Sequence, residues 1–464
     1  MKILQKKRLL HSEVLTFSFF LWLLWCGNAQ AEIRTITANG EYRMGDNDTR
    51  TDAKRLALLD AKRLALEQAG TYIESITEVK NFTLNKEEIR AYTAGIVDVV
   101  EQATRDTMEG ATHIVRVDVK VQVDTDIVTT QIDSLRKNEA AKAEIQRLRA
   151  ETETLYRKLA DLNATVGSST PGTAAEVLQH RGQAMNRVEA NALLSQAWSF
   201  LDLLKVTEES QHRAKSLTEK AVAIDPGNSQ GHSTLGYIRY RYKDFVGARQ
   251  EFQEAIQLDR NNLSAHDYLG HVLYDLGDFE NAAFHYEEAI RIGGELSKHF
   301  VEWLLHSAYE KLGKQAQTQG NFDSAASYFT KMIRLHPESF GGYLWLGDAL
   351  LEKGDTDAAI KEYRTAVLLN PNFAGTHLVL GQALKAKGNL AGSIVEFQMA
   401  VRLDPAFGKG HAQSQYGIAL YESGRIEEAI SELRTAIRLR PDEGNLHHFL
   451  DTVVTRCLPR VRYI

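Results

Sequence analysis

The chain has 464 residues, too many for one ordinary hydrophobic core, so two or three domains are expected. Its 43% hydrophobic and 25% charged content is that of folded protein, and its 15 His lie scattered without metal-ligand spacing. The net charge of −6 argues against nucleic acid or an anionic membrane as the main partner, because phosphate binding needs a positive field.

Residues 1–31 read as a signal peptide. Lys6, Lys7 and Arg8 form a basic start, and residues 14–25 are almost unbroken apolar residues. That run is short of the ~20 residues a helical membrane span needs. Asn28-Ala29-Gln30-Ala31 then gives a small-x-small cleavage pattern before Glu32. The segment carries +3 (Lys2, Lys6, Lys7 and Arg8 against Glu13), leaving −9 on the mature chain. The alternatives are lipid attachment at Cys26, for which the preceding Trp25 is too bulky, and retention of the segment as an anchor. After cleavage only Cys457 remains, so no intramolecular disulfide can form. Export without disulfides fits a Gram-negative periplasm, or secretion from such a cell, better than a disulfide-stapled secreted module.

Residues 32–125 predict a small α+β domain of order β-α-β-α-β-β with its helices on one side of the sheet. Residues 33–42 alternate like a strand and stop at Gly45-Asp46-Asn47-Asp48. Thr49 to Asp52 has the form of a capping box, with Asp in place of Glu, opening a long helix. Inside that helix an eight-residue phrase occurs twice, at 53–60 and 61–68. Residues 76–82 read as a strand, 86–92 as a short helix, and 96–103 and 113–123 as strands. The Asp46-Asn47-Asp48 run could suggest a metal loop, yet a turn feeding a helix N-terminus prefers the same residues. The Lys-Arg pairs at 54–55 and 62–63 could meet a polyanion; a solvated helix face is the simpler reading. The stretches Gly-Glu-Tyr-Arg-Met-Gly-Asp-Asn-Asp-Thr-Arg (40–50), Ala-Leu-Glu-Gln-Ala-Gly-Thr-Tyr-Ile-Glu-Ser (65–75) and Glu-Glu-Ile-Arg-Ala-Tyr-Thr-Ala-Gly-Ile-Val (87–97) resemble the N-terminal domain of the flagellar assembly protein T family. That resemblance implies a cell-envelope setting; it does not by itself imply a flagellum.

Residues 126–166 are strongly helical, with Ile145, Leu148, Leu155, Leu159, Leu162 and Val166 at a rough a/d spacing. Two readings stay open: a coiled coil giving a homo-oligomer through this segment, or a single helix packing on the N-terminal domain. Gly167 to Gly172 is expected to break the helix, making 167–182 a flexible linker.

Residues 183–443 are periodic. Pro226, Pro337, Pro371, Pro405 and Pro441 punctuate one pattern, and two of the steps are 34 residues. One unit reads Tyr343, Leu346-Gly347, Gly354, Ala359, Tyr363, Ala366 and Pro371; the next repeats it as His377, Leu380-Gly381, Gly388, Ser393, Phe397, Ala400 and Pro405. These positions resemble the tetratricopeptide (TPR) repeat, a helix-turn-helix unit that stacks into an all-α solenoid. Seven units follow: 195–228, 229–262, 263–296, 306–339, 340–373, 374–407 and 410–443. Asp202 replaces the usual Gly in the first, Arg260 and Gly294 replace the terminal Pro in the second and third, and residues 297–305 are expected to lengthen helix A of the fourth. Residues 444–464 form a capping helix and tail, in which helical spacing makes Cys457 a buried structural thiol.

The TPR resemblance implies an inner groove lined by helix-A residues at fixed offsets. Carried onto this chain, the groove set is Tyr237, Tyr240, Arg241, Asp267, His271 and Tyr274, with Leu344, Leu351 and Leu378 making it more apolar further along. Aromatics with one Arg and one Asp suit an extended peptide. The Lys/Asn/Arg set that clamps a C-terminal carboxylate in some TPR proteins is missing. His232, His266 and His377 fall at a packing position and read as interhelical contacts. No Gly-x-Ser-x-Gly, phosphate loop or His-Glu-x-x-His occurs, so no catalytic residue, cofactor or metal is expected. The resulting expectation is a non-enzymatic, exported scaffold that binds client proteins in assembly of an envelope structure, a flagellum being one candidate. The alternative is a regulatory subunit guiding a cell-wall, division or secretion machine, since periplasmic division proteins couple a coiled coil to TPRs in a similar layout.

Overall fold

The computed structural model describes residues 33–79, 99–124, 139–166, 171–201 and 207–457, with residues 89, 93, 97 and 132 singly. The expected signal segment 1–31 with Cys26, most of the expected 86–92 helix, Asp202 and the side chain of Cys457 lie outside the described residues. The chain divides into two compact units, 1–262 and 263–464.

The first unit opens with a three-stranded antiparallel sheet in the order β1-β3-β2, built from β1 (Ile33–Arg43), β2 (Val99–Glu109) and β3 (Thr112–Asp124). Ile36 pairs Val121 and Ala38 pairs Val119, so the alternating valines of β3 share a face with the apolar positions of β1. Val115, Val117, Val119, Val121 and Val123 are fully buried on that face. Over it lies α1 (Arg50–Val79), which contributes Ala53, Ala57, Ala61, Ala65 and Ala69, one alanine per helical turn. The small stripe brings helix and sheet into close contact: a Cβ on Gly40 would run into the backbone of Ala57 and Ala61. The duplicated phrase is therefore a repeated packing surface. Three of its four basic residues are matched within the chain, Lys54 by Glu101, Arg55 by Glu189, and Arg63 by Asp60 and Glu67.

The strand expected at 76–82 is corrected for its described part, because residues up to Val79 belong to α1. The β-branched residues there look strand-like, but each costs a helix only tenths of a kcal/mol, which an already packed helix overrides. Thr49 Oγ1 accepts the Asp52 amide at 3.1 Å and donates to its carboxylate at 2.8 Å, the cap expected at this helix start.

Helices α2 (Glu139–Val166) and α3 (Pro171–Leu201) pack against one another and against α1. Ile145 and Leu148 are fully buried with the sheet core, and Leu159 packs with Leu56, Leu59, Met185 and Val188. Ile145, Leu148, Leu159 and Val166 of the a/d stripe are thus buried inside the chain, as the single packed helix requires, while Leu155 and Leu162 are half-buried. The flexible linker expected over 167–182 is also corrected: residues 171–182 are the start of α3. Pro171 opens the helix at a first-turn position, where its missing N–H costs nothing, and so starts the segment it was expected to break.

Arg181, in that start, is fully buried and donates to Asp48 Oδ1 at 2.5 Å and Tyr42 Oη at 3.4 Å. Asp48 Oδ2 takes the Gly45 amide at 2.7 Å and the Tyr42 hydroxyl at 3.0 Å. The Asp-Asn-Asp turn is thereby occupied by a guanidinium from 133 residues away. Helix α3 then runs on to supply the first helix of the repeat array, packing against α4 (Glu208–Ile224), and α5 (Ser229–Arg241) with α6 (Phe245–Leu258) completes the unit.

The second unit is entirely helical: α7 (Leu263–Asp275), α8 (Phe279–Thr318), α9 (Phe322–Leu335), α10 (Phe340–Glu352), α11 (Thr356–Leu369), α12 (Ala374–Ala386), α13 (Leu390–Leu403), α14 (His411–Glu422), α15 (Ile426–Leu439) and α16 (Gly444–Cys457). Successive helices pack pairwise. Residues 297–305 do not merely lengthen one helix: α8 fuses helix B of the third unit with helix A of the fourth across 40 residues. Without Pro at 294 no amide is lost, and the helix continues.

The repeat is held by a ring against a glycine. A Cβ on Gly270, Gly347 or Gly381 would lie 2.6, 2.5 or 2.6 Å from the ring of Tyr286, Tyr363 or Phe397, all fully buried. Turns after helix A are made by Gly277, Gly320, Gly354, Gly388 and Gly424, all at positive φ. Asp278, Asn321, Asp355 and Asn389 then cap helix B through their side chains.

Two outcomes are expected. Gly381→Ala should destabilise its repeat by roughly 1–3 kcal/mol through overpacking, read as faster hydrogen exchange in α12 and α13. Adding Phe397→Leu should recover part of that loss. Arg181→Met should cost about 3–5 kcal/mol in urea unfolding by leaving the Asp48 carboxylate buried and unpaired, and Asp48→Asn in the same chain should restore much of it.

Candidate protein-binding groove

In the first unit, Tyr237, Tyr240 and Arg241 lie on α5. Tyr237 stacks on Trp198 of α3 with ring centroids 5.1 Å apart and planes at 23°. Its hydroxyl accepts from Arg241 Nη1 at 2.9 Å, and the Arg241 guanidinium sits 5.8 Å from the same ring. Trp198 in turn donates its indole N–H to Thr234 at 3.2 Å. Tyr237 and Arg241 are therefore one assembly seated on Trp198, while Tyr240 turns toward Phe245 at 5.9 Å. Trp198 was missed from the sequence because its repeat lacks the usual glycine.

In the second unit, Asp267, His271 and Tyr274 follow one another along α7. His271 Nε2 lies 3.6 Å from Asp267 Oδ1, beyond hydrogen-bond reach. The His271 ring meets the edge of Tyr286 at 5.8 Å and lies 5.8 Å from Tyr268. Tyr274 shares a 2.8 Å hydrogen bond with Ser307 of α8 and packs edge-on against Phe279. Burial pushes the Asp267 carboxyl up to about 7 and holds the His271 imidazole below its ordinary value. Both groups are driven toward their neutral forms.

The offsets within the repeat carry a signal that sequence reading used only in part. Counting from unit starts at 263 and 306, Glu310 and Lys314 occupy the offsets of Asp267 and His271. Lys314 bonds Glu310 at 2.5 Å and lies 3.9 Å over the Trp345 ring. Asp348, at the His271 offset one unit on, accepts the Tyr363 hydroxyl at 2.7 Å. Leu344 and Leu351 are half-buried, but Leu378 is in the core with Ile394 and Phe397 and is corrected as a groove residue. An apolar side chain at that offset buries itself where the neighbouring helices leave room.

The three histidines do more than fill space. His377 joins Glu396 of the following helix at 2.7 Å and the Pro371 carbonyl at 3.0 Å. His232 makes the same pair with Glu251 at 2.8 Å and the Pro226 carbonyl at 3.1 Å, and its bond to Glu251 raises its pKa. His266 meets His285 instead, at 3.1 Å, and burial depresses His285 to about 4. Among the described residues, no group of three or more His, Cys, Asp or Glu could hold a metal ion, and no helix is long and apolar enough to cross a membrane.

The raised Asp267 value fixes a sign. The folded chain holds this proton up to about pH 7, whereas an ordinary carboxyl releases it near 3.8. The folded state thus binds more protons through that window, and stability falls as pH rises across it. Asp267→Asn should leave the melting temperature near wild type at pH 4 and raise it by a few degrees at pH 8, measured by thermal unfolding.

Profiles of the tetratricopeptide repeat match residues 264–295, 310–372, 346–406 and 411–443. Among solved structures, YrrB, described as a TPR protein with an unusual peptide-binding site, is 23% identical, with a TM-score of 0.34 over 42% of this chain and 96% of that one. TTC0263 of Thermus thermophilus, a thermophilic TPR protein, is 19% identical, with a TM-score of 0.27 over 42% of this chain and 99% of its own. PilF of Pseudomonas aeruginosa is 20% identical, with a TM-score of 0.29 over 47% of this chain and 94% of its own. No curated protein matches the chain. Residues 264–295, 310–406 and 411–443 are tetratricopeptide repeats.

Proposed function

We propose that the chain is an exported, non-catalytic adaptor of the bacterial envelope, whose repeats capture extended segments of client proteins during assembly of an envelope structure. The observation that carries this reading is the repeat array itself, with aromatic and ionisable side chains at recurring helix-A offsets. Tyr237, Tyr240 and Arg241 in the first unit, and separately Asp267, His271 and Tyr274 in the second, supply ring area and polar groups that would fix the register of an extended chain. The basic start, apolar run and small-x-small site of residues 1–31 support export to the periplasm. The resemblance of 40–50, 65–75 and 87–97 to the flagellar assembly protein T family supports an envelope setting, of which a flagellum is one candidate. In this reading the small domain, with its helical hairpin, is the anchor and the repeats are the hand.

The test is crosslinking in cells from a photo-reactive residue at Tyr274, with Tyr240 as a second site, followed by mass spectrometry of the adducts. Basal-body proteins among them are the expected result. Cell-wall, division or secretion proteins would replace assembly by regulation of one of those machines. Adducts from a control site on the sheet but from neither tyrosine would sink the groove assignment. Recovery of an uncleaved chain in the cytoplasm, instead of one starting at Glu32 in the osmotic-shock fraction, would sink export.

A further inference from the structure

Along the helix-A face of the second unit, ionisable side chains have answering groups: Lys314 has Glu310 and the Trp345 ring, Asp348 has the Tyr363 hydroxyl, and Lys385 has Glu422 at 2.8 Å. Asp267 is different. Its Oδ1 is shut off from water and accepts no hydrogen bond among the described residues. The nearest candidate, His271 Nε2, stands 3.6 Å away. The side chain as a whole keeps 21% of its exposure, so the carboxylate can be reached from outside. Desolvation without compensation is costly, and a carboxylate so placed gains most from a donor that brings its own positive charge.

We propose that Asp267 anchors a basic side chain, Lys or Arg, of an extended client segment laid along α7 and the C-terminal half of α8. The inference rests on the reading of the repeats as a peptide-binding surface, and adds the chemistry that this surface selects. The two helices meet at the Tyr274–Ser307 hydroxyl pair, seven residues and two helical turns from Asp267. That pair supplies a donor and an acceptor for the backbone of a segment whose basic side chain reaches back to the carboxylate. The Tyr268 and His271 rings, 5.8 Å apart on the same helix, offer apolar area for the aliphatic stem of such a side chain. The charges facing this stretch are Asp275 on α7, which draws His271 upward against its burial, and the matched pair Glu310 and Lys314 on α8. A cation docking at Asp267 therefore meets the additional negative charge of Asp275, while Glu310 and Lys314 offset one another. An acidic client residue would meet the reverse.

The experiment is an array of 12-residue peptides of varied sequence, probed with the purified full chain and with Asp267→Asn. Each peptide carrying a central Lys or Arg is paired with its Gln and norleucine counterparts, with the terminus free or acetylated. The expected result is about tenfold stronger retention of basic peptides by the wild type, lost in Asp267→Asn, with neutral peptides held equally by both. Glu310→Gln, whose carboxylate is already paired, should keep the preference. A preference for basic peptides that survives Asp267→Asn, or no preference in the wild type while neutral peptides still bind, overturns the anchor and leaves the groove. A preference that follows the free terminal amine moves the contact from side chain to chain end and overturns the assignment. Failure of both proteins to retain any peptide overturns the groove itself.

Discussion

A ring lodged where a neighbouring helix has no side chain is the contact on which the array depends. Phe252, Tyr286, Phe329, Tyr363 and Phe397 each lie fully buried against Gly236, Gly270, Gly313, Gly347 and Gly381. The glycine gives up roughly 1 kcal/mol of helix propensity at each site. In exchange the two helices of a unit approach until the ring's whole face is covered, and burial of an aromatic side chain outweighs that loss. Everything else in the unit follows from this spacing: a turn tight enough to need positive φ, a side-chain cap for the second helix, and a histidine placed to reach the next helix.

Because that contact needs a glycine at one place in each repeat, at steps of 34 residues except where α8 runs through, the repeats are legible in sequence. What sequence hides is what depends on partners far along the chain. Nothing around Asp48 announces a guanidinium from Arg181, and nothing in the apolar spacing of 145–166 tells an oligomer seam from a stripe that packs on α1. Pro171 shows the same difficulty at a single residue, since it both ends and begins helices and only the packing decides which. Groove offsets find Asp267 and His271 as a pair, but they do not find its isolation. That is a property of what the neighbours fail to offer.

Polar chemistry in the array is therefore of two kinds. At the histidine offset the groups are satisfied within the fold, with Glu251 and Glu396 on one side and the Pro226 and Pro371 carbonyls on the other, so they hold helices in register. At the outer helix-A offsets the groups are satisfied in some units and unsatisfied in Asp267, where the desolvated acid is a stability cost that the described residues do not offset. The same periodic scaffold thus places satisfied and unsatisfied polar groups a few residues apart along one helix.

Helix α3 has one consequence beyond stability. It begins beside the sheet, where Arg181 is clamped by Asp48, and ends beneath Tyr237 as the first helix of the array. Between these points the backbone is unbroken helix, stiff along its axis, where most multidomain chains place a pliant connection. Within this unit, tension or twist on the sheet reaches the first repeats as through a crankshaft. A helix of that kind sets the direction of the first repeats from the sheet as well as their distance.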